Sequence, residues 1–275
     1  MAVAYPPALM EEGDAGVVNL PRSWNKGGKP QMSTHPAISP SDQTLPDWSP
    51  RWWLMYVIVP VLLLVAVIAA HYAGGAIRYS VWESPVGILE SGTGALALVA
   101  AAIALIASFQ PLIRRAWAVR GWLLAFVVAL IYFAGEDLNW GQYYFGWETP
   151  QYFLEHNKEH ETNLHNISTW FNQKPRIMVE LWLLVACILV PLGWRQPRQL
   201  TARLVPAMFW PDGRLVFIAV MALVVLATDW MAKRGFIPRT LRWSEVEELF
   251  FAYGWLLYSM MLLGRVRSAR QAGSD

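Results

Sequence analysis

Glu136 and Asp137 stand at the end of an apolar run, with no basic residue within a helical turn. A negative charge at a helix C-terminus opposes the macrodipole. The pair therefore lacks a simple structural explanation and is the first candidate for chemistry, as metal ligand or general base. Downstream, Glu161 and His165 are four residues apart. On a helix, a carboxylate and an imidazole at that spacing point the same way and can share a divalent metal. His156 and His160 repeat the spacing on a neighbouring face, and Gln142 and Asn157 offer supporting hydrogen bonds. Glu245 and Glu248, at i and i+3, form a second acidic face. Carboxylate with imidazole suits Zn²⁺, Mn²⁺ or Fe²⁺, and carboxylates alone suit Ca²⁺ or Mg²⁺. The chain carries no HExxH, no Glu-x-x-His pair of the di-iron kind, no Walker loop and no GxSxG.

These residues are positioned by apolar stretches, read as about Trp53–Ala73, Pro85–Phe109, Trp117–Gly135, Ile177–Trp194, Leu215–Met231 and Val246–Leu263. Each is long enough to cross roughly 30 Å of hydrocarbon. The composition agrees: 55% hydrophobic with 16 Trp, yet 22 basic and 20 acidic residues, most of them in the segments between or near the span ends. The sequence thus predicts an all-α, polytopic transmembrane bundle of about six spans. Continuous rather than alternating apolar runs exclude a transmembrane β-barrel. A net charge of +2 points to no nucleic-acid partner, and the single Cys187 permits no internal disulfide. Threaded up and down, the spans bring Glu83, Glu90, Glu136, Asp137, Glu180, Asp229, Glu245, Glu247 and Glu248 to one side, with His71, His156, His160 and His165. Ionisable groups at membrane depth are costly, so a one-sided cluster marks a site. A plainer account covers part of it. Glu83, Glu180, Glu245, Glu247 and Glu248 fit as first-turn acids that favour helix N-termini, and Asp229 has Lys233 at i+4 to pair with.

Residues 1–50 are rich in Pro, Gly and Ser with no apolar run, which predicts a disordered tail. The transmembrane domain spans 51–264, and 265–275 forms a short basic tail. Between the third and fourth spans, Thr149 is a good N-cap and Pro150 suits the first helical position. Phe153, Leu164, Ile167 and Phe171 then recur with helical periodicity, predicting an amphipathic surface helix over about 150–171. Arginines such as Arg51, Arg114, Arg120, Arg198, Arg214, Arg265, Arg267 and Arg270 outnumber the basic residues of the other side. The positive-inside rule then places both termini in the cytoplasm of a bacterial inner (cell) membrane and turns the acidic side outward.

The run Glu136-Asp137-x-x-Trp140-Gly141-Gln142, Thr149-Pro150 and Asn157-x-x-x-Glu161-x-Asn163-Leu164-His165-Asn166 resembles a pattern in uncharacterised multi-pass bacterial membrane proteins. That group has a second glutamate where this chain has Asp137. The resemblance covers about thirty residues, implies a fold of six to seven spans and brings no activity with it.

Three functional readings follow. In the first, the protein is a membrane enzyme acting on a lipid or lipid-linked substrate at the outer leaflet. Glu161 and His165 hold a divalent metal, Glu136 or Asp137 acts as ligand or base, and Lys233, Arg234, Arg239 and Arg242 bind an anionic headgroup. In the second, it is an accessory subunit of a membrane complex, with its aromatics as lipid anchors and partner contacts. In the third, the carboxylates relay protons through a transporter, although no Gly/Pro-broken spans occupy corresponding halves. Both termini being cytoplasmic, reporter fusions at Asp275 and within residues 157–172 should give opposite responses. An exterior C-terminus would overturn the orientation.

Overall fold

The computed structural model describes residues 50–114, 116–194, 196–201 and 207–272. The tail expected over 1–50 lies, but for Pro50, outside the described residues. Among the described residues every regular element is helical. Five helices are long and apolar enough to cross a membrane: Arg51–Ala73, Gly75–Ser108, Trp117–Asp137, Gly213–Lys233 and Trp243–Gln271. We name the principal helices α1 (Arg51–Ala73), α2 (Ile88–Ser108), α3 (Trp117–Asp137), α4 (Gln151–His156), α5 (Thr169–Trp182), α6 (Val216–Lys233) and α7 (Trp243–Ala272).

The core is built around α7, which packs on α2 and α6, while α2 also packs on α3. Sequence explains the closest of these contacts. Ala97, Ala100, Ala101, Ala104 and Ala107 share one face of α2 and are buried. Small residues let helix backbones approach where lipid offers no hydrophobic drive for association. The space they leave is filled from α7, whose Phe250, Leu257 and Leu262 are fully buried. The outward sides of the same helices stay apolar, as at Ile88, Val99, Ile106, Val128 and Ile131. Apolar side chains facing outward along the whole length of a helix are what a hydrocarbon solvent requires.

Three features depart from the sequence expectation. The fourth expected span, Ile177–Trp194, is not one of the five long apolar helices. It is carried by α5, which contains Pro175, and by a π-turn over Leu183–Leu189 packed on α6. The basic tail is helical as far as Ala272, because α7 continues through it. The surface helix expected over 150–171 is helical only at Gln151–His156 and again from Thr169, at the start of α5. Its middle is a loop, because asparagine side chains there satisfy backbone groups that a helix would otherwise pair. Asn157 Oδ1 accepts from the Glu159 amide at 2.9 Å, and its Nδ2 donates to the Asn163 carbonyl at 2.8 Å.

The arginine-rich end is closed by one ionic knot. Arg265 of α7 donates to the carbonyls of Met208 and Trp210 at 2.8 and 2.7 Å and to Asp212 at 3.0 Å. Arg214 also grips Asp212, and its guanidinium lies 4.3 Å from the Trp52 ring on α1. Burial alone would raise the Asp212 carboxyl, but Arg214 and then Arg265 outweigh it and hold it below the usual range.

Candidate functional site at the carboxylate end

At the opposite end the helix termini converge, and the backbone there is forced into unusual shapes. α3 stops at Asp137, and Asn139, Trp140 and Gly141 follow with φ of 48°, 53° and 89°. Left-handed conformations are costly for residues with a Cβ, above all for a bulky tryptophan. The turn folds the chain back on itself, so that the Trp140 indole lies flat on Gly135. A Cβ at Gly135 would meet that ring at 2.9 Å. The indole Nε1 then donates to Glu136 Oε1 at 2.8 Å.

Glu136 is the anchor of this end. Its other oxygen accepts the Leu164 and His165 amides at 2.7 and 2.8 Å. The side chain is buried, and backbone N–H groups are among the best partners a buried carboxylate can have. His165 Nδ1 sits 3.4 Å from the same oxygen, an ionic contact too long for a well-formed hydrogen bond. Burial opposes the charged imidazole, but Glu136 outweighs it and His165 stands above the ordinary histidine range.

The neighbouring loop is an amide ladder. Asn163 Nδ2 donates to Asn139 at 2.5 Å, and Asn157 Nδ2 donates to Asn163 Oδ1 at 2.8 Å. Gln142 accepts from the Thr162 amide and donates to Thr149, each within 2.8 Å. All four amide side chains, Asn139, Gln142, Asn157 and Asn163, are buried. Gln142 and Asn157, expected to support the polar pocket as hydrogen-bond donors, spend their bonds on the loop itself. Glu161 does not meet His165. It accepts from the Tyr143 hydroxyl at 2.8 Å and from Asn163 at 3.2 Å. Burial and then that bond push the Tyr143 phenol up to about 12, so it remains a donor at neutral pH. The shared helix face assumed for Glu161 and His165 is lost with the helix itself. Among the described residues no three His, Cys, Asp or Glu side chains are grouped as metal ligands.

Beside Glu136 lies a cavity of about 90 Å³ between α3, α5 and α7. Glu136, Asp137, His165, Arg176 and Glu248 supply its polar lining, and Tyr132, Phe133, Pro175, Val179 and Phe251 its apolar walls. Asp137 accepts no hydrogen bond from any described residue, and its electrostatic neighbours are Glu248, Glu90, Glu245 and Glu136. Arg176 is engaged by Glu180 at 3.3 Å, by Glu248 at 3.7 Å and by the fully buried Glu247. Sequence reasoning gave Arg176 no role beyond the charge count. Its signal was a guanidinium beside Pro175, at the start of an apolar run. Glu245 turns away to Arg242 at 2.6 Å, so the Glu245/Glu248 face is divided between two arginines.

The basic group expected to bind an anionic headgroup is largely used internally. Lys233 pairs with Asp229 at 2.5 Å, as the i+4 spacing suggested. Arg242 holds Glu245 and the Trp82 carbonyl and reaches Glu90 at 4.0 Å. Arg234 lies 4.5 Å from the Trp230 ring, and Arg239 is exposed.

Comparison of the chain with known protein families, with curated proteins and with solved structures finds no match.

Two outcomes follow from this geometry. Glu136→Gln leaves at least one of three part-buried donors without an acceptor. It should cost on the order of 1–3 kcal/mol and expose the 157–168 loop to proteolysis; an unchanged thermal midpoint and cleavage pattern would sink the anchoring role. The second outcome concerns pH. Because His165 is raised in the folded state, its stabilisation is complete below the ordinary histidine value of about 6.5 and is lost as pH climbs from there through the raised value. The thermal midpoint should decline over that interval, and His165→Gln should flatten the decline.

Proposed function

We propose that this integral membrane protein binds the polar head of a membrane-resident amphiphile in the α3–α5–α7 cavity and carries out acid–base chemistry on it. Asp137 and Glu248 are the proton-handling groups, and His165 and Arg176 position them. The observation that carries this reading is the Asp137 carboxylate. It faces the cavity without a donor, where a side chain of purely structural purpose would be paired. The pair expected from sequence to act as ligand or base is Glu136 with Asp137; in this reading Asp137 keeps that role, and Glu136 holds the 164–165 backbone and supports one wall.

The lining also argues for the kind of head. Glu136, Asp137 and Glu248 face the cavity, whereas its one arginine is already engaged by Glu180, Glu247 and Glu248. This balance favours a neutral hydroxyl or a cationic amine over a phosphate. The aromatic walls suit an amine as well. Beyond the cavity, α3 and the α5 segment close on α7 through aromatic contacts, so the tail of the amphiphile lies outside this seam. Phe133 meets Trp255 at 4.8 Å, and Trp182 meets Tyr258 at 5.3 Å.

We also infer six crossings, with both termini cytoplasmic and the cavity outward. In support, the segment from α5 to Leu189 extends from Arg176, at the carboxylate end, to Val190, which packs with Trp210 near the arginine knot.

Dodecylamine, dodecanol and dodecyl phosphate, added to the detergent-purified chain, test the reading. The amine and the alcohol should raise the thermal midpoint and the phosphate should not. Asp137→Asn should fold normally and lose most of the amine response. Stabilisation by the phosphate alone, or an amine response that survives in Asp137→Asn, would refute the assignment.

A further inference from the structure

The segment from the end of α3 into α4 carries a dense run of exposed aromatics among the described residues. Trp140, Tyr143, Tyr144, Phe145, Trp147 and Tyr152 are between 39% and 79% exposed. Between Trp140 and Leu154 the one charged residue is Glu148. In water such a patch is a liability that marks an interaction surface. We propose that this segment is seated in the headgroup layer of the bilayer at the carboxylate end, with its aromatic faces turned to lipid. The proposal goes beyond the cavity and does not depend on what binds there.

Three observations set the depth. The Tyr144 hydroxyl lies 2.6 Å from the Ser91 hydroxyl, and Ser91 is in the first turn of α2. The Trp140 indole is pressed on Gly135 and lies 6.2 Å from Tyr132, so it runs alongside the last turn of α3. The loop is thus folded back against the ends of two spans, at their boundary, and does not project away from them. The third observation is the direction of the polar tips. Trp140 Nε1 donates to Glu136, the Tyr143 hydroxyl to Glu161, and Tyr144 meets Ser91. The hydrogen-bonding ends are held by protein groups, while the rings themselves stay 39–52% exposed. A ring with an apolar body and a satisfied polar tip is the side chain that membrane interfaces enrich.

Lipid is the occupant because the patch is continuous with surface that is already lipid-facing. Ile88, beside Ser91 at the start of α2, is 65% exposed, and Ile131 and Val128 continue the apolar side of α3. The stacked pair Phe145–Trp147, 5.7 Å apart, forms the outer edge of the patch. Trp140 thereby touches lipid on one side and Glu136 on the other, so the site's anchor and the bilayer surface share one residue.

Depth-dependent quenching tests this in the full chain. With the native Cys187 replaced by alanine, Phe145→Cys and, independently, Trp147→Cys are labelled with bimane and placed in phosphatidylcholine nanodiscs. Glu155→Cys, on the exposed side of α4, serves as the water-facing reference. A spin label attached near the lipid headgroup should quench the probes of Phe145→Cys and Trp147→Cys several-fold more than iodide does, and Glu155→Cys should show the reverse order. Stronger quenching by iodide at both aromatic positions would place the segment in water. Protection from both quenchers would mean that protein covers the patch. Either result overturns the proposal.

Discussion

Everything at the carboxylate end depends on one buried oxygen. Glu136 Oε2 accepts two successive backbone amides, Leu164 and His165, from a segment that has no helix to satisfy them. Without that acceptor two N–H groups would be left bare beside an apolar bundle, at a cost the loop could not recover elsewhere. The anchor fixes where His165 stands, and with it one wall of the cavity. It also explains why an acid is tolerated against the helix dipole at the end of α3. The penalty is offset by three donors and an imidazole gathered about the carboxylate.

The two ends of the bundle solve the same problem differently. At the arginine end a single carboxylate, Asp212, is held by two guanidiniums, and the spare donors of Arg265 take up loose carbonyls. At the carboxylate end a single guanidinium, Arg176, is shared among Glu180, Glu247 and Glu248. An excess of cation seals one end around its charge. An excess of anion at the other end leaves Asp137 without a hydrogen-bond donor among the described residues.

Much of this was legible in the sequence. The apolar runs gave the all-helical bundle, because hydrocarbon allows few other ways to satisfy a backbone. The clustering of acids at one end followed from threading those runs, and the motif around Glu136 and His165 marked two residues that do meet. The helix expected over 150–171 was not legible, since Phe153, Leu164 and Ile167 keep a helical period that the asparagines override. Asn157 and Asn163 cap the backbone locally, and a periodicity count gives no weight to such bonds. Glu161 was misplaced for the same reason. Arg176 was out of reach because its partners Glu247 and Glu248 lie some seventy positions further on, and pairing at that distance leaves no local pattern. The left-handed Asn139 and Trp140 were equally hidden, as nothing in their types but the adjoining Gly141 suggests a reversed turn.

The separations of the two sets of contacts also bear on the order in which the protein assembles. The anchor joins residues 28 and 29 positions apart. A closure that short costs little entropy and can form as soon as residue 165 has emerged, while α6 and α7 are still unmade. The contacts of Arg176 with Glu247 and Glu248 cannot form until α7 arrives. A chain synthesised from its N-terminus should therefore carry a finished α3–α5 turn as a template, and α7 would complete the cavity by docking its acids onto an arginine already in place.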